Sequence, residues 1–141
     1  GRCMACHSGP AFSDTRYHNL GIGYRNGKFA DVGRYEVTKN PKDRGAFITP
    51  KLRNVALTPP YLHDGSEPTL EAVINLYDQG GIPNPNLDPL MTPLNLTANE
   101  KRDLLAYLHA LTGPYPVYAA PPLPNPEITA QELAQMEGGA K

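Results

Sequence analysis

The chain has 141 residues, a formal net charge of −1 and a pI near 6.5. The length corresponds to a single domain. The nearly neutral charge does not indicate a nucleic acid or an anionic membrane as partner. Sixteen prolines and thirteen glycines, 29 of the 141 residues, predict a loop-rich fold with short helices. The sequence has no apolar run of about eighteen residues, so no transmembrane helix is expected.

The first motif is Cys3-Met4-Ala5-Cys6-His7, which has the C-x-x-C-H spacing of covalent haem attachment. Two thiols three positions apart can each form a thioether with a haem vinyl group, and the adjacent imidazole can then bind the iron. The cysteines could instead form a disulfide, a thioredoxin-type redox pair or half of a zinc site. A zinc site would need further cysteines and a thioredoxin motif a β-α-β pattern, and the sequence has neither. The motif therefore favours one covalent haem c held by Cys3, Cys6 and His7.

Haem c is attached outside the bacterial cytoplasm. We therefore expect a periplasmic protein whose export signal has been removed or lies ahead of Gly1. The chain begins only two residues before Cys3, although the motif needs a helix to hold it. The sequence is accordingly expected to continue something longer.

Two loop regions follow the motif. The segment 8–26 is rich in glycine and polar residues and is predicted to be an irregular loop. Its His18 is assigned to a surface or propionate contact in preference to iron ligation. In the segment 27–44 charged residues alternate with glycine, which predicts a solvated stretch of chain.

The stretch from Phe47 to Gly65 contains three prolines and is predicted to run extended around something. Each proline restricts the residue before it, so a long helix is excluded here. Such a wrap could direct Arg53 and His63 at haem propionates, the arginine through a bidentate charge-assisted bond. The alternative is that both are solvated loop charges.

The clearest helix follows Thr69, a good N-cap, and ends at Gly80-Gly81. Its apolar face has helical spacing and consists of Leu70, Val73, Ile74 and Tyr77. Tyr77 is therefore predicted to point into the core, where its hydroxyl needs a partner. The proline-containing loop that follows carries Met91. Methionine is a usual sixth ligand of electron-carrying c-type haems, so Met91 competes with Tyr77 for that role.

A second helix begins at the capping box Thr97-Ala98-Asn99-Glu100, and Gly113-Pro114 follows its end. Its buried stripe is predicted to consist of Leu104, Leu105, Leu108 and Leu111. The remaining chain is rich in proline and is expected to form an extended arm over a neighbouring domain or subunit, with disorder as the alternative. These elements predict a haem domain at 1–113, lacking its first helix, and a C-terminal extension at 114–141.

Taken in this order, the motifs resemble the C-terminal haem domain of bacterial dihaem cytochrome c peroxidases and the related MauG enzymes. The most specific parts of the resemblance are Thr49-Pro50, Leu52-Arg53-Asn54-Val55, His63-Asp64-Gly65 and Thr69-Leu70-Glu71. The resemblance implies an all-α, cytochrome c-like fold with short helices and long Pro/Gly-rich loops. It also implies a partner, an N-terminal haem domain or separate haem subunit with a second, peroxide-reacting haem, which this sequence does not contain.

Within that family, the peroxidase branch has an axial methionine at the position that falls on Tyr77, whereas MauG-like enzymes have tyrosine there. The resemblance therefore implies a His7/Tyr77 haem, and a phenolate ligand favours the higher oxidation states of iron. Met91 stays open as the alternative axial ligand. The family also binds calcium between its two domains through main-chain carbonyls that fall on Thr58 and Pro60, and carbonyl oxygen suits calcium.

Three functions are compatible with these features. The first is the electron-transfer half of a dihaem peroxidase or MauG-like oxidoreductase, relaying electrons between a donor or protein substrate and the second haem. The second is a stand-alone monohaem cytochrome c carrier with Met91 as sixth ligand. The third is a spacer or docking module in a multihaem assembly. The short start of the chain and the family pattern favour the first, and an oligomer is compatible with all three.

Overall fold

The computed structural model describes residues 2–114, so nearly all of the extension predicted at 114–141 lies outside the described residues. The α-helices are α1 (Tyr35–Thr38), α2 (Leu70–Asp78) and α3 (Ala98–Ala110). Short 3-10 helices cover Arg2–Ala5, Pro41–Asp43 and Val55–Leu57. The strands are β1 (Tyr17–His18), β2 (Tyr24–Arg25), β3 (Lys28–Phe29) and β4 (Phe47–Ile48).

The four strands form two small antiparallel pairs. Strand β1 lies beside β4, and β2 pairs with β3 in a hairpin. Asn26 and Gly27 form the hairpin turn with φ values of 51° and 76°, the positive values that a two-residue type I′ turn requires. The helices are the longest elements. The strands nevertheless depart from the all-α prediction and replace parts of the loop predicted for 8–26.

Helix α2 has the ends that its sequence predicts. The Thr69 side chain accepts a hydrogen bond from the Ala72 amide at 3.2 Å, which satisfies one of the free donors of the first turn. At the other end the Gly80 and Gly81 amides bond to the carbonyls of Tyr77 and Leu76, and both glycines have positive φ. The predicted start and end are therefore confirmed.

Helix α3 also begins as predicted. Thr97 and Glu100 make the reciprocal bonds of a capping box. The helix is tied to α2 by Lys101, whose Nζ lies 2.7 Å from the Asp78 carboxylate and 2.9 Å from the Asn75 amide oxygen. The leucine stripe is half-buried rather than fully buried, because part of it borders an internal cavity.

Few hydrophobic side chains are fully enclosed. Among the described residues the hydrophobic side chains that are at most 8% exposed are those of Ile22, Ala46, Leu70, Ile74 and Leu76. The side-chain amide of Asn19, which is only 3% exposed, connects the surrounding loops. It hydrogen-bonds to the Arg44 carbonyl, the Asn84 side chain and the Gly21 amide. Many other apolar side chains border the cavity, so much of the apolar packing surrounds it rather than a solid core.

Close contact between two loops at Gly21 gives a test of this arrangement. Gly21 has φ +84°, and a Cβ there would overlap the Ile82 backbone carbonyl. Gly27 has a similar φ of +76° with nothing within 4 Å of such a Cβ. We expect Gly27→Ala to lower the free energy of unfolding by about 1 kcal/mol, the cost of the left-handed backbone, and Gly21→Ala to lower it by about 3 kcal/mol or more.

Denaturant unfolding of the two variants measures this difference. Because both carry the same backbone strain, the excess cost at Gly21 reports the contact with Ile82 alone. Equal losses would mean that the segment around residue 82 does not pack on Gly21 as described.

Candidate haem site

A cavity of about 450 Å³ lies between the N-terminal motif, the segment 47–63, helix α2 and helix α3. Its walls are mainly aliphatic and aromatic, which suits a large apolar group better than a small polar ligand. The apolar lining includes Leu20, Ile22, Phe47, Leu52, Val55, Leu70, Val73, Ile74, Leu94, Leu104 and Leu108. The predicted face of α2, including Tyr77, is one wall of this cavity.

The N-terminal motif forms another wall. Cys3, Cys6 and His7 all line the cavity, and both thiols are free, so the disulfide alternative is not formed in this structure. A turn holds the three residues together, since the amides of Cys6 and His7 both donate to the Cys3 carbonyl, at 3.2 and 2.7 Å. Both thiols and the imidazole are therefore available to one group in the cavity.

The His7 ring is oriented by a backbone carbonyl. Its Nδ1 lies 2.9 Å from the Phe12 carbonyl oxygen, and because a carbonyl only accepts, Nδ1 carries the proton and donates. The Nε2 lone pair is then free for a metal. Histidines that bind metals commonly have such a partner on the other nitrogen, which fixes both the tautomer and the ring plane. The ring of His7 is thus held with Nε2 available to a metal ion.

Arg53 lies outside the cavity lining and supports the loop that orients His7. Its Nε donates to the Pro10 carbonyl at 2.8 Å, and its guanidinium lies 5.4 Å from the centre of the Phe12 ring. His63, the other predicted propionate contact, does line the cavity. Its ring stacks on Phe47 with centroids 3.5 Å apart. A propionate role stays a prediction for both.

Tyr77 lies on the α2 wall of the cavity. Burial raises the pKa of its phenol, and the charges of Cys3 and Cys6 raise it further. Among the described residues no hydrogen bond offsets that burial. The phenol is half-buried and borders the cavity, and a ferric ion bound there would favour its phenolate form.

Met91 borders the same cavity. The end of its side chain packs against Gly81. A Cβ at position 81 would lie 3.1 Å from the Met91 Cε, so the glycine leaves room for the methionine. The structure therefore brings both candidate axial ligands, Tyr77 and Met91, to one cavity.

Thr58 and Pro60, the residues predicted to offer carbonyls to calcium, are exposed and border the cavity. The Thr58 hydroxyl donates a hydrogen bond to the Val55 carbonyl at 3.0 Å. Calcium binding at these carbonyls remains a prediction, and a ligand from a second domain would have to complete it.

The sequence analysis did not identify a charged cluster at the cavity wall. His18 donates from Nδ1 to Asp88 at 2.6 Å and from Nε2 to Asp14 at 2.9 Å. Burial alone lowers the pKa of His18, but the hydrogen bonds and charges of Asp88 and Asp14 outweigh it, so the pKa is raised. With both ring nitrogens bonded to carboxylates, His18 is not free to bind iron. In the sequence, the spacing of Asp14 and His18 was only a weak indication of this cluster, and nothing indicated that Asp88 belongs to it.

The donor set of the cavity fits a covalently bound haem. It combines two free thiols, an imidazole with a fixed tautomer, a half-buried phenol and mainly apolar walls. Cys6, Asp14 and His18 also lie within 4.8 Å of one another, as metal ligands would. In this structure both nitrogens of His18 are already engaged by carboxylates, so its imidazole offers no lone pair to such a metal.

Comparison with known proteins points to the same cofactor. No family model matches the chain. It is 38% identical over 152 residues to cytochrome-c peroxidase IdrP1 of Denitromonas iodatirespirans, covering 87% of this chain and 40% of the peroxidase. It is 36% identical over 122 residues to methylamine utilization protein MauG of Methylorubrum extorquens, covering 86% of this chain and 34% of MauG.

A solved structure is also similar. The crystal structure of a MauG-like protein associated with microbial copper homeostasis superposes with a TM-score of 0.69 at 38% identity, covering 78% of this chain and 42% of that one. The fold and the cavity thus define a cytochrome c-type haem protein. Over most of its length the chain is homologous to cytochrome c peroxidases and MauG, and it spans 34–40% of the length of these curated relatives.

Proposed function

We propose that this chain is the electron-transfer haem c domain of a dihaem peroxidase or MauG-like oxidoreductase. Cys3 and Cys6 would hold the haem through thioethers and His7 would bind its iron. Haem supplies one-electron chemistry when bound, and the chain's own residues fix its position and shield it from water. The observation that carries the proposal is the apolar cavity that brings the cysteine pair, His7 Nε2 and the Tyr77 phenol to one space.

The proposed distal ligand is Tyr77. The pKa of the free phenol is raised by burial, so the bare cavity disfavours the anionic form, and a bound ferric ion would reverse this preference. A His7/Tyr77 haem stabilises oxidised iron and would have a low potential. Such a haem suits a domain that shares oxidising equivalents with a second haem. A low-potential haem is less suitable for a domain that accepts and delivers electrons at high potential.

The rest of the assembly follows from the same proposal. The chain would work with an N-terminal haem domain or a separate haem subunit, and a redox donor or protein substrate would exchange electrons with it. Calcium between the two domains would use the carbonyls of Thr58 and Pro60. A protein carrying haem c would be periplasmic. Within residues 2–114 no helix has the length and apolar character needed to cross a membrane.

The test is a haem count and a peroxide assay on the full-length protein purified from cells that mature c-type haem. We expect two covalent haems per functional unit, by pyridine haemochrome absorbance and protein mass, and peroxide-dependent oxidation of a reduced donor. One haem with no partner chain and no peroxide turnover would contradict the proposal and leave the carrier function.

That carrier is the second candidate, because Met91 also borders the cavity. A monohaem cytochrome c with His7 and Met91 as ligands would shuttle electrons without reacting with peroxide. The two candidates differ in haem number and in axial ligand, so they are distinguished by independent measurements.

A further inference from the structure

The cluster formed by Asp14, His18 and Asp88 joins three parts of the chain at one edge of the cavity. Asp14 follows the haem motif, His18 lies in β1, and Asp88 belongs to the loop that carries Met91. The three side chains are only 13–16% exposed. Charged groups are rarely so enclosed without a structural or functional reason, because removing them from water is costly.

The cluster lies beside a predicted haem attachment point. Atoms of Asp14 and His18 lie within 4.8 Å of Cys6 and of one another. His18 and Asp88 also line the cavity. The Asp14 carboxylate, which His18 shares with Asp88, therefore lies beside the thiol that would carry the haem.

The charge of the cluster has a definite sign. Each ring nitrogen of His18 donates to a different carboxylate, which requires both nitrogens to carry protons. The imidazole is thus a cation between two anions, and the group carries one more negative than positive charge. Such a group in a poorly solvated site acts over a longer range than a surface carboxylate, because water and salt screen it less.

The geometry points to a tuning role for Asp14, His18 and Asp88: the net negative charge of this cluster beside Cys6 stabilises the oxidised state of the haem attached there. The inference rests on the proposed haem site and adds residues that do not touch the iron. Loss of an electron from the haem leaves an extra positive charge near the cluster, and the cluster favours that state. The three are positioning residues in this sense and not catalytic ones.

The test is the midpoint potential of the haem bound at Cys3 and Cys6 in the full-length holoprotein, measured by spectroelectrochemistry. Asp88→Asn and Asp14→Asn each remove a negative charge. Either substitution should lower the Fe(III)/Fe(II) ratio at a fixed applied potential roughly tenfold. For a one-electron couple, that change equals a rise in midpoint potential of about 59 mV. His18→Gln removes the positive charge and should shift the potential the other way. Asp103→Asn, an exposed carboxylate on α3, is the matched control and should leave the potential nearly unchanged.

The opposite signs separate electrostatics from a loosened structure, which would move all three variants in one direction. In addition, ¹⁵N NMR of the holoprotein at neutral pH should show both His18 ring nitrogens protonated. Shifts of one sign, an Asp88→Asn shift no larger than that of Asp103→Asn, or a neutral His18 ring would each overturn the inference while leaving the haem site intact. Absence of covalent haem from the wild-type protein would overturn the proposed function together with it.

Discussion

Replacing both Cys3 and Cys6 with serine is expected to abolish covalent haem attachment and to remove most of the folded protein. The motif is the only cysteine pair in the chain, so no other residues can form the two thioethers. Haem held by His7 alone would be released on denaturation. Haem staining of a denaturing gel measures attachment, and far-UV circular dichroism with heating measures folding.

The expected loss of folding follows from the size of the cavity. An unfilled cavity of about 450 Å³ leaves its apolar walls without packing partners, and unfilled apolar volume inside a fold is strongly destabilising. Domains of this size are usually stable by about 5–15 kcal/mol. The few well-buried hydrophobic side chains of the described residues form too small a core to compensate for the unfilled cavity.

The control for this variant is Met4→Ser. Met4 lies between the two cysteines and is 80% exposed, so its replacement tests the segment without removing a thioether. We expect it to retain covalent haem and a Tm close to that of the wild type. A double serine variant that kept covalent haem, or that melted at the wild-type temperature without it, would show that the cavity is not the haem-filled centre of this fold.

The elements predicted correctly from the sequence are those with local signals. Helices α2 and α3 have their N-caps at Thr69 and Thr97, and the spacing of their apolar residues follows one helical face. The cavity wall containing Tyr77 follows directly from that spacing. The Asn26-Gly27 hairpin also had a local signal, and the sequence analysis missed it by treating 8–26 as one irregular loop.

The features that could not be predicted depend on contacts between distant parts of the chain. Strand β1 pairs with β4 across about thirty residues, and each strand is too short to show an alternating pattern. His18 and Asp88 are 70 positions apart. The bond from His7 to the Phe12 carbonyl is local, but it depends on a positive φ of 52° at a phenylalanine, which no residue preference indicates.

Replacing Tyr77 with phenylalanine is expected to change the haem spectrum and to raise the midpoint potential of the haem in this domain. The substitution removes one oxygen and keeps the ring that packs on the α2 wall, so the cavity should keep its shape. An anionic ligand that stabilises ferric iron is lost. The potential should therefore rise on the order of 100 mV or more, within the span of about 0.8 V that axial ligands cover. The ferric phenolate charge-transfer absorption should disappear at the same time.

Met91→Leu is the matched variant, because it removes the competing donor from the same cavity and keeps a similar apolar volume. If Tyr77 binds the iron, Met91→Leu leaves both the spectrum and the potential essentially unchanged. The reverse pattern would be a wild-type near-infrared thioether band that is lost in Met91→Leu and kept in Tyr77→Phe. That result would assign the sixth ligand to Met91 and favour the electron carrier over the peroxidase-type domain. The absorption spectra of these two holoprotein variants therefore decide how the Tyr77 phenol is used, since desolvation at the cavity wall disfavours its charged form unless the iron is its partner.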